Sequence, residues 1–266
     1  MPQIQVTLTP AESKRLIARA VAALPEVKRA LRRGTIIIVL GTTNARVAEE
    51  LLEKKIEREK FVAGVVLRKG TCVVPREQRM GEIVIRRGKL IKAKSDDVLP
   101  GLTADDVFIK GANALDASGT AGVFLASRRG GTVGRSLGTV VARGVNLIIP
   151  VGLEKFIPGS IQGVSKTAGI FRASYATGCP LGIMPIVGKI VTELEAFEIL
   201  TGGEAIPMGK GGISGAEGSI TLLVRGTPKQ LKKARSLING IKGELGTKVE
   251  TACKTCNQQG CWFRKG

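Results

Sequence analysis

A chain of 266 residues, 43 % of them apolar, is long enough for one large domain or two modest ones around a packed core. Its net charge of +19 attracts anionic partners, and the absence of histidine removes the commonest general base and the commonest metal ligand. No apolar run approaches the ~20 residues that span a bilayer, and the segment Met1–Arg15 lacks a signal-peptide core. The chain therefore reads as cytoplasmic, with no membrane partner.

In chain order, Thr9-Pro10-Ala11-Glu12 is a capping box with proline at the first helical position. Leu16, Ile17, Ala20, Val21 and Leu24 then repeat at helical spacing. Pro25 restarts the helix and Gly34 ends it. The run Thr35 to Leu40 is apolar at nearly every position, which predicts a strand buried on both faces, as in a parallel sheet. A tight turn, Gly41-Thr42-Thr43-Asn44, leads into an amphipathic helix through about Lys55, and Val62 to Leu67 reads as the next strand. Residues 70–95 read as an insertion or edge hairpin that turns at Arg86-Arg87-Gly88-Lys89.

The parallel pattern resumes at Asp106 to Ile109, followed by a loop from Gly111 to Gly119. A helix beginning near Gly131 and ended by Gly144 precedes another buried strand, Val145 to Val151. Residues 158–180 are rich in Gly, Ser and Pro. Beyond them the order strand (183–187), helix (193–200), two strands (204–208, 219–224) and helix (228–242) suggests a small α+β unit. The predicted fold class is α/β, a doubly wound, mainly parallel sheet with a smaller C-terminal α+β subdomain. The expected divisions are a Rossmann-like phosphate-binding domain over 1–157, the α+β subdomain over 158–245, and a basic, cysteine-containing tail over 246–266.

Three loops fall at the carboxyl ends of predicted parallel strands, where open sheets bind their ligands. Gly41, Thr42, Thr43 and Asn44 open a helix, whose first amides are unpaired and attract phosphate or carboxylate. The same turn also reads as an ordinary strand-to-helix connection with Asn44 as N-cap. Lys110, Gly111, Asn113 and Asp116 form the second loop, in which Lys110 offers a cation and Asp116 a carboxylate able to move a proton. Gly131, Thr132, Gly134 and Arg135 form the third, and Glu154 with Lys155 completes that edge. Each of these also has a plainer reading as a turn or a solvated surface pair. Asp116 and Lys110 are the candidate catalytic residues, and the others are candidate ligand contacts.

The segment Lys28 to Leu52 resembles the first strand, loop and helix of the ribose-5-phosphate isomerase superfamily, in which a Gly-Thr turn holds the sugar phosphate. Asp105 to Lys155 is similar to a stretch shared by methylthioribose-1-phosphate isomerase-like proteins and DeoR-type sugar-phosphate sensors. The matching residues are Gly111-Ala112-Asn113, Gly131-Thr132 and the strand before Glu154-Lys155. The resemblance implies a sugar-phosphate ligand and an isomerase-like fold. It departs where the family's loop ends in a catalytic aspartate, because that place here is Asn113, and an amide cannot take the proton of an enediol mechanism.

The tail carries Cys253-x-x-Cys256-x-x-x-x-Cys261, a spacing at which thiolates hold zinc or one iron of an iron–sulfur cluster. It reads equally as a basic tail with reduced thiols. From Arg225 to Gly266 there are ten Lys or Arg against two Glu, which suits a nucleic-acid partner. Aromatics make up only 3 %, which argues against base-stacking platforms. Apolar, glycine-rich residues over 158–190 suit a homo-oligomer interface. The sequence thus points first to binding, with isomerisation or another conversion, of a small phosphorylated or anionic metabolite. The alternative is a metal- or cluster-bearing basic protein that binds nucleic acid.

Overall fold

The computed structural model describes residues 1–249. The chain opens with β1 (Gln3–Leu8), α1 (Pro10–Ala23) and α2 (Pro25–Arg33), then β2 (Thr35–Ile38) and α3 (Thr42–Leu52). Two hairpins follow, β3 (Gly64–Leu67) with β4 (Gly70–Val73) and β5 (Ile83–Arg86) with β6 (Lys89–Ile91). Next come α4 (Ser95–Val98), β7 (Val107–Ile109), β8 (Ala114–Leu115), β9 (Ala121–Leu125), α5 (Gly131–Ala142) and β10 (Asn146–Pro150). The last elements are α6 (Ile161–Thr167), β11 (Gly182–Ile186), β12 (Lys189–Val191), α7 (Glu193–Thr201), β13 (Glu204–Gly211), β14 (Ser219–Arg225) and α8 (Pro228–Asn239).

The architecture is mixed α/β around a six-stranded sheet in the order β12-β10-β7-β2-β5-β6. The first four strands in that order are parallel, while β5 and β6 add an antiparallel edge. Continuous apolar runs make sense here because both faces are covered. Ile36 and Ile38 join Leu16, Val47 and Phe197 in one core cluster, and Ile37 and Val39 join Phe108, Val140 and Ile149 in another. Burying each such side chain contributes about 1.5–3 kcal/mol. The capping box at Thr9 forms, with Glu12 N donating to Thr9 Oγ1 and Thr9 N to Glu12 Oε2. The edge hairpin turns at Arg87 and Gly88, both at positive φ (49° and 76°), as a two-residue hairpin turn of the right hand requires.

One sequence expectation fails, and one strand had none. The stretch Val62 to Leu67 does not enter the main sheet: β3 pairs only with β4, in a ribbon where Val66 is 68 % exposed. None of its four residues is buried, as a central strand would require. The N-terminal β1 escaped prediction, although its residues alternate, because its partner β14 lies more than 200 residues away, with Gln3 opposite Arg225 and Leu8 opposite Ile220. The chain also crosses residue 157 in both directions. β12 joins the parallel sheet beside β10, whereas β1 completes the three-stranded sheet β1-β14-β13 that packs against α8.

Candidate functional site

At the carboxyl ends of β2 and β7 lies a cleft of about 980 Å³. Its floor and two of its walls come from the predicted loops. Gly41 to Asn44 line it from β2, Lys110, Gly111 and Asn113 from β7, and Gly131, Thr132 and Arg135 from the start of α5. Lys155, beyond β10, reaches the same space. Asp116, Gly134 and Glu154 do not line it. The Asp116 carboxylate accepts bonds from Ser118 N, Ser118 Oγ, Thr120 N and Ile161 N, which folds its own loop and caps α6. Gly134 lets α5 press against the preceding loop, since a Cβ there would lie 2.3 Å from the Arg129 carbonyl oxygen. Glu154 pairs with Lys14 at 3.0 Å. Cys253, Cys256 and Cys261 lie outside the described residues.

The turn after β2 differs from the plainer sequence reading. Gly41 is the N-cap, no side chain caps α3, and its first turn holds no acidic residue. Asn44 sits inside the helix, fully buried, and its Nδ2 donates to Val39 O at 2.7 Å and to Ile109 O at 3.3 Å. It thereby ties the ends of the adjacent strands β2 and β7. Those two bonds orient the amide, and its Oδ1 has no protein partner. Gly111 packs beside that oxygen, where a Cβ would meet it at an ordinary contact distance of 3.5 Å. An unpaired buried acceptor costs about 1–3 kcal/mol. Helix α5 repeats the arrangement, with Gly130 as N-cap at φ 70°, no side-chain cap and no acid in the first turn. Two uncapped helix N-termini thus open on one cleft.

Between them sit the two lysines. Lys110 Nζ donates to Gly111 O at 2.9 Å and Lys155 Nζ to Ala112 O at 2.7 Å. Both are half-buried, and among the described residues neither has an ion-pair partner. Burial, and then the neighbouring charge of Lys155, pull the Lys110 amine down to about 8. Lys155 also falls to about 8, through burial and then Lys14, while Glu154 and Glu193 pull it back up. Such cations are short of a counter-charge.

The remaining wall had no signal in the sequence. The ribbon β3–β4 and residues 75–82 close the cleft opposite the sheet and bring Cys72, Arg76, Glu77, Arg79 and Glu82 to it. The ribbon is held by close backbone contact, in which Thr71 N donates to Thr177 O and Cys179 N to Thr71 O. Gly70 (φ 111°) and Gly178 (φ 91°) make that approach possible, since a Cβ on Gly70 would sit 1.9 Å from Thr177 O. Thr132 Oγ1 donates to Glu82 Oε1 at 3.1 Å, and Arg135 pairs with Asp96 at 3.1 Å on the rim. Asn113 accepts from Phe124 N at 3.0 Å, so its amide fixes β9.

The lining holds five cations, Lys110, Lys155, Arg76, Arg79 and Arg135, against two carboxylates, Glu77 and Glu82. That balance suits an anionic occupant. Among the described residues no group of His, Cys, Asp or Glu is arranged to hold a metal, and no helix is long and apolar enough to cross a membrane. No protein-family model, curated protein or solved structure matches the chain.

Proposed function

We propose that the chain binds a small phosphorylated or otherwise anionic metabolite in this cleft, with the anionic group at the first turns of α3 and α5. The observation that carries the reading is the half-buried pair Lys110 and Lys155, each about 8 and without an ion-pair partner among the described residues. Protonated amines in that condition gain most from an incoming anion. In this reading the sheet is doubly wound, the arrangement whose ligand crevice opens beyond the strand ends. A sugar phosphate is the ligand implied by the isomerase resemblance. Conversion of such a ligand would depend on Lys110 or Glu82 to move a proton, because Asn113 has no carboxylate and Asp116 faces its own loop.

The test is thermal unfolding of the purified protein with inorganic phosphate and a panel of phosphorylated sugars. A ligand at a hundred times its dissociation constant adds about 2.7 kcal/mol of stability. The expected result is stabilisation that Lys155→Met roughly halves at the same ligand concentration. If no anion in the panel stabilises the wild type, the reading fails. If duplex DNA stabilises it instead, with a steep dependence on salt, the basic surface is the functional one.

A further inference from the structure

We propose that Lys110 is a covalent site, whose amine condenses with the carbonyl carbon of an aldehyde or ketone carried by the anionic ligand, while Lys155 holds the ligand's charged end. The inference rests on the anion-binding reading of the same cleft and narrows it to carbonyl compounds.

Lys110 follows the last residue of β7 directly, and its backbone N donates to Ile148 O at 3.0 Å, so the rigid sheet fixes where the side chain begins. Its Nζ leans on the Gly111 carbonyl at 2.9 Å and lines the cleft. The two lysines then differ in their surroundings. Glu154 and Glu193 help Lys155 to keep its proton, whereas the groups acting on Lys110 are burial and a second cation. A lysine used only to attract anions is best left charged, but a nucleophilic amine must be neutral, and burial beside another cation is how proteins obtain one. Both amines stand at about 8, and Lys155, which lines the same cleft from beyond β10, is the second cation there that can hold phosphate or carboxylate.

The condensation needs only the amine and the carbonyl. The neutral Lys110 nitrogen attacks the carbonyl carbon, the carbon–oxygen π pair moves to oxygen, and the proton shed by nitrogen passes to that oxygen. The product is a carbinolamine, with the former carbonyl oxygen as its hydroxyl. Loss of that hydroxyl with the remaining nitrogen proton as water leaves the imine, so amine and carbonyl give imine and water with no oxidant or reductant.

Pyridoxal 5′-phosphate, an aldehyde that carries a phosphate, is the probe. The full-length protein is incubated with it, reduced with borohydride to fix any imine, and examined by intact mass and peptide mapping. The expected result is one dominant adduct on Lys110, suppressed by excess inorganic phosphate and absent from Lys110→Arg, which keeps the charge, and from Lys110→Met. Lys155→Met should still label at Lys110 but need roughly tenfold more probe, the worth of one charge-assisted hydrogen bond. Thermal unfolding with inorganic phosphate separates the two ideas. If phosphate stabilises wild type and Lys110→Arg yet label spreads over many lysines or misses Lys110, the covalent proposal is overturned while anion binding stands. If Lys110 labels selectively and phosphate neither stabilises nor protects, the covalent site stands and the anion reading falls.

Discussion

Two groups of buried or half-buried cations share this molecule, and they are treated in opposite ways. Arg15, Arg46 and Arg58 lie where α1, α3 and the segment after α8 meet. Arg15 contacts Glu49 at 2.5 Å, Glu50 at 2.8 Å and Glu244 at 3.2 Å, and Arg58 reaches Glu49 at 2.8 Å and Glu244 at 2.5 Å. Arg46, 1 % exposed, adds Glu244 and the carbonyls of Thr42 and Leu245. Burial alone would raise the Glu49 carboxyl, but bonds from Arg58 and Arg15 outweigh it and hold Glu49 at about 2. Lys110 and Lys155 have no such carboxylate partners, and both amines fall. Charge that serves the fold brings its counter-charge with it, whereas charge left short of one is the feature on which the proposed ligand site rests. The arginine cluster still serves the site, because Arg46 and Glu49 clamp α3, whose first turn lines the cleft.

The comparison breaks most visibly at Glu49. Glu49→Ala leaves Arg15 and Arg58 short of a buried partner and should cost about 3 kcal/mol in urea unfolding. A cost below about 1 kcal/mol would reduce the cluster to an ordinary surface network. Lys110→Met should act in the other direction. Removing a half-buried cation without a counter-ion should stabilise the ligand-free protein by about 1 kcal/mol at neutral pH, the usual exchange of stability for function at a site. The same variant should weaken phosphate binding roughly tenfold, read by titration calorimetry. If Lys110→Met destabilises the protein instead, the lysine is structural and the contrast with Glu49 disappears.

How much of this the sequence disclosed follows from where each signal resides. The strands around Ile36, Phe108 and Ile148 were legible because burial on both faces leaves a continuous apolar run. Thr9 and Gly88 were legible because caps and tight hairpin turns demand particular residues. β12 was not, since three residues carry no period, and its place beside β10 is a tertiary fact. That Gly41 to Asn44, Lys110 and Gly131 share one cleft was legible, because loops at strand ends converge by topology alone. The wall of Arg76, Arg79 and Glu82 was not, because it stands there through the backbone contact between Gly70 and Gly178, residues far apart in the chain. Asp116 reads as chemistry in the sequence because a carboxylate in a glycine-rich loop looks the same whether it faces a substrate or its own backbone. Its near neighbours Ser118 and Thr120, with Ile161, are the donors that fold it inward.

The smallest expected effect, and the one that compares the two groups in a single experiment, is the dependence of stability on pH. Glu49 stands at about 2 in the folded chain against an ordinary 4.5, so the unfolded chain takes up its proton first as pH falls. Its contribution is complete above about 4.5 and drains away towards 2. The lysines stand at about 8 against an ordinary 10.5. Between those values the unfolded chain holds more protons than the folded one, so stability rises with pH across that window, and below 8 the penalty for burying both charges is present in full. Urea unfolding from pH 7 to 10 should therefore show a rise in the wild type that shrinks in the Lys110→Met, Lys155→Met double variant. Arg46, lowered to about 10 by burial and then by Arg58, adds a rise of its own at the upper end, and the difference between the two proteins removes it. Saturating phosphate should flatten the wild-type rise as well, because an anion beside the amines returns their protons. Parallel curves for the wild type and the double variant would mean that solvent already compensates the lysines, and the two groups of cations would then differ in geometry but not in energy.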